Sequence, residues 1–400
     1  ATARSTGISG GEGSDFIRND GDLSLTATAA LTSRANADVA FGSSGAGSAS
    51  GAVAEATGIS GGTGDDRIEN NASIRVTPSS TLTVTSSSFS FGGTGTSGTT
   101  LAATTSATGI SGGDGADLIL NRGPITLQAG STLTTGSSSD AAFGTSSGTV
   151  ISGGVSQAVG IDGGAGDDRI FNAGALVVGS SSALNLKASG FTFGGTSGAQ
   201  DALTADSRSV GISGGAGANR IYIEGALTVT ASSNLTAKAD VDAAFGATVT
   251  YGTTSADSKA TGISGGEKGD CVENVSELTV TALSGAEIGK STYVFGGTAS
   301  SNGQAATTAR AEGIAAGDGD NRILNDLGGT VHVKAEATAR QSGSSTVTFG
   351  PPAAGADAKA AAFATGITGG GGNDGVVNLG TVEVNAYAKA EGEASAGAFL

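Results

Sequence analysis

Residues 210–221 read Val-Gly-Ile-Ser-Gly-Gly-Ala-Gly-Ala-Asn-Arg-Ile, and variants of this stretch return at a nearly constant interval along the chain. The glycine of its Gly-Ile pair recurs at Gly7, Gly58, Gly109, Gly160, Gly211, Gly262, Gly313 and Gly366. The first six intervals are 51 residues long and the last is 53. Such a period is typical of a repeat array, in which each unit buries its apolar face against its neighbours. We therefore interpret residues 1–400 as one continuous array of about eight repeats that start near these glycines.

The middle of each repeat carries the pattern of a β-strand with one buried face. In the fifth repeat, small or apolar residues stand at every second position from 227 to 245: Leu227, Val229, Ala231, Ser233, Leu235, Ala237, Ala239, Val241, Ala243 and Phe245. The residues between them are mainly Thr, Ser, Asn, Lys and Asp. Alternation over so long a run indicates β-structure, and no segment has a helical period. The predicted fold is all-β, a parallel β-solenoid built from the 51-residue repeats.

The sequence leaves two possibilities for the number of coils in each repeat, one or two. Successive coils of a parallel solenoid lie about 4.8 Å apart. One coil per repeat would stack every residue directly on its copy, and two coils of about 25 residues would separate the copies by about 9.6 Å. The unbroken alternating run favours the wide, flat single coil over two ordinary coils.

An asparagine stands two positions after the shared Ile or Val in seven of eight repeats. These residues are Asn19, Asn70, Asn121, Asn172, Asn274, Asn325 and Asn378, and the fifth repeat has Ile223 instead. Stacked asparagines can hydrogen-bond to their copies in the coils above and below. The sequence therefore predicts an asparagine ladder with one gap.

A longer alternation is superposed on the repeat. Repeats one, three and five end their run as Asp-Xaa-Ala-Phe, as at residues 140–143, and repeats two, four and six end it as Phe-Xaa-Phe-Gly-Gly or Tyr-Xaa-Phe-Gly-Gly. We interpret this as small and large residues that alternate at one inward position and interdigitate between coils. Duplication of a two-repeat ancestor is the alternative explanation, and both can hold.

Composition narrows the classes of function. The formal net charge is −16 and the pI about 4.4, which argues against a nucleic-acid partner and suits a soluble surface in a cation-rich extracellular medium. The single cysteine excludes an internal disulfide framework, and no apolar run is long enough for a transmembrane segment. The chain opens and stops within repeats, without recognisable caps, so we expect it to be a window of a longer secreted or cell-surface polypeptide.

The glycine-rich loop carries the one motif in the sequence that suggests a ligand-binding site. Residues 10–18, 61–69, 112–120 and 163–171 fit the pattern G-G-x-G-x-D-x-U-x. This resembles the calcium-binding nonapeptide of the RTX (repeats-in-toxin) family of secreted bacterial proteins, within an arrangement that looks like giant bacterial adhesins and surface filaments. The resemblance implies that backbone carbonyls and carboxylates of stacked loops hold Ca²⁺. The metal ligands that it implies are Asp15, Asp66, Asp117, Asp168, Asp270 and Asp374.

The motif departs from the family in three repeats. Asn219 and Asn321 stand where the carboxylate belongs, and Lys268 replaces a motif glycine. The loops also stand alone in each repeat, whereas the family's nonapeptides run in tandem. Aspartate that only caps its turn is the alternative to ion binding.

No catalytic apparatus is recognisable, so we predict that the protein is not an enzyme. His332 is the only histidine and lies in a strand-like segment, Cys271 takes an outward position, and the acidic residues are spread along the array. The sequence favours a structural role, as a rigid stalk or filament segment of a large secreted bacterial surface protein that self-associates into a fibre or surface layer. The alternative is an adhesin module for polysaccharide, ice or another cell surface, suggested by outward threonines such as Thr228 and Thr230.

Overall fold

A computed structural model describes residues 1–399, and these residues form twenty β-strands. Within this part of the chain there is no helix of the length and apolar character needed to cross a membrane. The strands are β1 (Thr2–Glu12), β2 (Phe16–Asn19), β3 (Leu23–Leu25), β4 (Thr28–Thr63), β5 (Arg67–Asn70), β6 (Ile74–Val76), β7 (Ser79–Asp114), β8 (Leu118–Asn121), β9 (Ile125–Ala165), β10 (Arg169–Asn172), β11 (Leu176–Gly215), β12 (Arg220–Ile223), β13 (Leu227–Gly266), β14 (Cys271–Asn274), β15 (Glu277–Gly317), β16 (Arg322–Asn325), β17 (Thr330–Phe349), β18 (Pro352–Thr368), β19 (Gly375–Asn378) and β20 (Thr381–Ala398).

Each repeat forms one coil, and every strand pair is parallel. Leu227 of β13 pairs with Leu176 of β11 on one side and with Leu278 of β15 on the other, so neighbouring coils are offset by one repeat. The two-coil alternative is therefore wrong, because it would place another half-repeat between these copies. The predicted parallel β-solenoid with a wide, flat single coil is confirmed.

The path of one coil is illustrated by the fifth repeat. The short strand β12 closes one end, and β13 then runs outward, turns at Phe245-Gly246 and returns to the glycine loop. The four-residue strands stack into an eight-stranded sheet and the remaining strands into a twelve-stranded sheet. Eighteen residue steps from Leu227 to Phe245 make the coil about 60 Å wide, and eight coils stack to about 40 Å. The described array is thus a slab rather than a thin rod.

The core is thin because most inward side chains are small. In the fifth coil the predicted inward residues from Leu227 to Ala243 are all 1% exposed or less, which confirms the alternation. Isoleucine and leucine fill the end near the short strands. Toward the far turn the inward residues include many serines, whose hydroxyls bond to one another, as between Ser97 and Ser137 at 2.6 Å.

The phenylalanine that ends each run is not an inward residue, contrary to the sequence interpretation. Phe245 is 50% exposed, and its counterparts in the other coils are exposed as well. The chain reverses at this point, since the following Gly246 has φ of 130°, and the reversal breaks the strict inward-outward alternation. Large and small residues therefore alternate along the outer edge of the slab and not inside its core.

The glycine of each Gly-Ile pair is explained by the stacking of coils. A Cβ atom at Gly58 would overlap the carbonyl oxygen of Gly109 in the next coil and lie 2.9 Å from Ile74 Cγ2. The adjacent Ile59 is fully buried. The pair thus combines a close backbone approach with an aliphatic core residue.

The single 53-residue interval has a local cause. Asn274 pairs with Asn325 at the regular offset, but Glu277 pairs with Thr330, two residues further on. The two additional residues lie in the loop at 326–329, where Leu327 is exposed. The register of the strands on both sides is kept.

Candidate functional site: the stacked aspartate loops

The glycine loop folds tightly because two of its glycines adopt positive φ. In the second coil these are Gly62 (φ 119°) and Gly64 (φ 111°), a region that residues with a Cβ atom rarely enter. The turn directs the Asp66 side chain into the interior, where the residue is 3% exposed. Since every coil repeats the loop, the motif positions stack in one column.

One oxygen of each motif side chain bonds to the coil before it. The backbone N–H of Asp15 donates to Asp66 Oδ1 at 2.7 Å, that of Asp66 to Asp117 Oδ1 at 2.7 Å, and that of Asp117 to Asp168 Oδ1 at 2.8 Å. The column then continues without a break through Asn219, Asp270, Asn321 and Asp374, with bonds of 2.7–3.0 Å. The six predicted ligand residues are therefore brought into one column, together with both asparagines. We call it the Asp/Asn column.

The second oxygen of the aspartates is in a different situation. Oδ2 is buried and has no hydrogen-bond donor in five of these aspartates: Asp15, Asp66, Asp117, Asp168 and Asp270. At the equivalent place Asn321 has an N–H₂ group, which donates to the carbonyl oxygens of Gly317, Gly319 and Gly369 at 2.9–3.1 Å. Because the positions are equivalent by the repeat, the aspartate Oδ2 atom takes the place of the asparagine amide nitrogen. It therefore lies among carbonyl oxygens, to which it has no hydrogen to donate. Such an oxygen needs a proton or a cation.

Burial shifts the pKa of three of these carboxyls in the direction that the geometry implies. Burial raises the pKa of Asp168 to about 6, and the nearby carboxylates of Asp117, Asp162 and Asp167 add to the rise, while the N–H bond from Asp117 opposes it. Burial also raises the pKa of Asp117 and of Asp270. The charged forms of these three aspartates are therefore disfavoured unless positive charge compensates them.

The donor atoms at these loops fit a hard cation. Ca²⁺ takes six to eight oxygen ligands, and five of the loops offer one buried carboxylate oxygen without a hydrogen-bond partner. Residues 1–399 contain no group of three or more Asp, Glu, His or Cys side chains that could hold a metal together. A bound ion would therefore depend on backbone carbonyls and on single carboxylates from those coils that have aspartate in the column. The Oδ1 bonds show that the aspartates also have a structural role between coils.

The loop of the sixth coil differs from the others. Lys268 stands where the neighbouring coils have a glycine of positive φ, and it does not adopt positive φ itself. Asp270 nevertheless keeps its place in the column, since it accepts the Asn219 N–H at 2.7 Å. The substitution therefore alters the turn but keeps the bond that joins the Asp/Asn column to the preceding coil.

The asparagine ladder is confirmed on both sides of its predicted gap. Side-chain bonds of 2.7 Å join the four asparagines from Asn19 to Asn172, and bonds of 2.7–2.9 Å join the three from Asn274 to Asn378. At the gap, Ile223 is buried and the Asn172 amide donates to the Gly174 carbonyl instead. These asparagines hold coils together and offer no free ligand group at the described positions.

A buried ion pair was missed by the sequence reasoning. The Nζ atom of Lys290 contacts Asp201 Oδ2 across the core, and both side chains are fully buried. The intervening coil has Gly252 at this point, and a Cβ there would lie 2.7 Å from Lys290 Nζ. Burial lowers the pKa of Lys290 to about 7. Its inward position in the alternating run was the available signal, because a lysine rarely occupies one.

The two remaining candidate residues lie outside the Asp/Asn column. His332 is on an exposed strand face, where its Nδ1 lies 3.2 Å from Glu383 Oε2. Cys271 is half-buried and begins the short strand β14. Comparison of the chain with protein-family models, with curated proteins and with solved structures found no match.

Proposed function

We propose that this chain is a structural repeat segment, forming a rigid stalk or filament of a large secreted bacterial surface protein. The observation that carries the proposal is the register, in which every coil is hydrogen-bonded along nearly its whole contour to an equivalent coil. Such a scaffold is stiff and periodic and can be extended by adding further coils. Self-association into a fibre or surface layer is part of the same proposal.

Stabilisation by Ca²⁺ is the second part of the proposal. It rests on the resemblance of the loops to the RTX nonapeptide and on the buried Oδ2 atoms, which have no hydrogen-bond partner. Bound Ca²⁺ would supply the positive charge that these carboxylates lack. Asp66, Asp117 and Asp168 would hold it through Oδ2, while their Oδ1 atoms keep the bonds between coils.

Thermal unfolding followed by circular dichroism tests the Ca²⁺ proposal. We expect the midpoint to rise in millimolar Ca²⁺ and to fall in excess EGTA, because an ion bound only by the folded state stabilises it. The matched variant is D66N/D117N/D168N, which copies the arrangement of Asn219 and Asn321. It should fold equally well and respond to Ca²⁺ much less than the parent, since it loses three of the six aspartates of the column. A parent midpoint that ignores both Ca²⁺ and EGTA overturns this part.

The adhesin alternative stays a prediction with a testable surface. Its threonine column runs through Thr26 and Thr77 but continues with Gln128 and Gly179, so the row of hydroxyls is interrupted. Ice-recrystallisation and polysaccharide-binding assays distinguish the two functions. Specific glycan or ice binding by the parent chain would favour the adhesin over the purely structural segment, and turnover of a glycan would overturn both.

A further inference from the structure

A continuous row of aromatic rings follows the outer turn of the coils. Neighbouring rings meet edge to face, with centroids 5.5–6.0 Å apart and interplanar angles of 76–84°. The row consists of Phe41, Phe91, Phe143, Phe193, Phe245, Phe295 and Phe349. It is the exposed edge of the slab, opposite the end that the short strands close.

A second row lies beside the first on the outgoing strands. Phe89, Phe191 and Tyr293 occupy it in the even coils, and Asp140 and Asp242 stand between them in the odd coils. The backbone N–H of Phe191 donates to Asp140 Oδ1 at 3.0 Å, which fixes this carboxylate against the strand. We call the two rows together the aromatic ridge; neither row contains a lysine or an arginine.

The spacing of the ridge depends on an alternation of phenylalanine and glycine. Phe143 pairs in register with Gly92 and Gly194, and a Cβ atom at Gly194 would lie 3.4 Å from the Phe143 ring. The glycines therefore leave room for the rings of the odd coils. The two-repeat period of the sequence therefore corresponds to the alternation of phenylalanine and glycine in neighbouring coils along the outer edge.

The ridge exposes more apolar surface than a soluble monomer usually does. Its ten rings are between 43% and 76% exposed. At about 100 Å² for each half-exposed ring they present about 1,000 Å². The largest apolar patch on a typical monomer is about 300–600 Å². A stable protein interface requires about 800 Å² from each partner, and the ridge supplies this area.

We propose that the aromatic ridge is an interface with a second copy of this chain, in which two slabs associate edge to edge. This interface rests on the proposed structural function. It specifies the lateral contact through which an assembly of this chain would gain width. The ridge repeats through seven coils, so a partner that covers it must have the same length and period, and a second copy has both. The absence of lysine and arginine from its rows gives an acidic polymer no ion pair there.

The test measures the mass of the full chain as a function of concentration, by sedimentation equilibrium, together with its cross-section by small-angle X-ray scattering. The ridge variant is F143T/F193T/F245T, which removes three central rings without touching the core. The control is I151T/V177T/L327T, which removes three exposed apolar side chains elsewhere. We expect paired slabs for the parent and the control. The ridge variant should keep its β-spectrum and need at least a tenfold higher concentration to associate.

Three results would overturn the ridge proposal. The first is a parent chain that stays monomeric at every concentration. The second is a ridge variant that associates like the parent with the same cross-section, which indicates end-to-end stacking and leaves the structural function intact. The third is a monomer that binds a neutral polysaccharide through the ridge. Pairing through the ridge without any longer assembly would instead overturn the filament and keep the interface.

Discussion

At the scale of single residues, the Lys290–Asp201 pair is the feature whose removal should have the largest effect on stability. Both side chains are fully buried, and the Asp201 Oδ1 atom and the lysine ammonium group find no other partner. Two charges in a core have lost their hydration, so the pair is balanced only while both members are present. Removing one of them leaves an uncompensated charge.

The variant K290M should therefore lower the free energy of unfolding by about 3–5 kcal/mol. The double variant D201V/K290M should restore stability to the level of the parent or above it. Valine is suitable at this place because Val150 already occupies the same column in the preceding coil, fully buried. Chemical denaturation followed by circular dichroism measures both. A single variant as stable as the parent would show that both members of the pair are uncharged in the fold.

The sequence predicted some residues well because their roles are repeated. The Asn ladder, the buried Gly-Ile pair and the inward residues of β13 each recur at one register position, so a single pattern identifies all copies. Lys290 and Asp201 occur once, in different coils, and only the folded chain brings them together. The outward position of Phe245 was also missed, because an alternating pattern does not show where the strand reverses.

At the scale of the structural elements, the glycine loops act together as the Asp/Asn column. The sequence located every member of this column, including the two asparagines that replace aspartate. It could not show that Oδ1 and Oδ2 have different roles, since this depends on which backbone N–H of the preceding coil reaches the side chain. The Oδ1 bonds reach the preceding coil and do not cap the residue's own turn, while the ion-binding proposal concerns Oδ2 alone.

The column should make stability depend on pH in a defined direction. Because the folded-state pKa of Asp168 is raised from 3.8 to about 6, the folded chain binds more protons than the unfolded chain between these values. The stabilising contribution is complete below the unfolded pKa and is lost as the pH rises through about 6. Without divalent ions, the temperature of the unfolding midpoint should therefore decrease as the pH rises from 4 to 7. Circular dichroism in EGTA across this range measures it.

The same triple variant D66N/D117N/D168N serves as the control for pH. Its neutral amides carry their own hydrogens, so the fall between pH 4 and pH 7 should shrink markedly. Any stabilisation of the parent by Ca²⁺ should also be largest at neutral pH and small at pH 4, where protons already occupy the carboxyls. A pH profile identical in parent and variant would contradict this account of the column.

At the scale of the whole molecule, the coil geometry makes the array broad and short. Each repeat uses 51 residues to advance by one strand spacing of about 4.8 Å. The hydrogen bonds between coils point along this axis, and forty residues of β11 and β13 face each other in one contact. A pulling force along the axis is thus shared among many bonds that must break nearly together, unless the coil peels from one end.

A coil that peels away releases a large length of chain. Its 51 residues can extend to about 170 Å, whereas the folded coil contributes about 5 Å. Single-molecule pulling from both ends of the chain should therefore give a sawtooth of nearly equal steps of about that length, one for each coil. One cooperative rupture of the whole array would contradict this. A surface layer made of such coils would be stiff under small loads. Under large loads it would extend and dissipate energy by unfolding one repeat at a time.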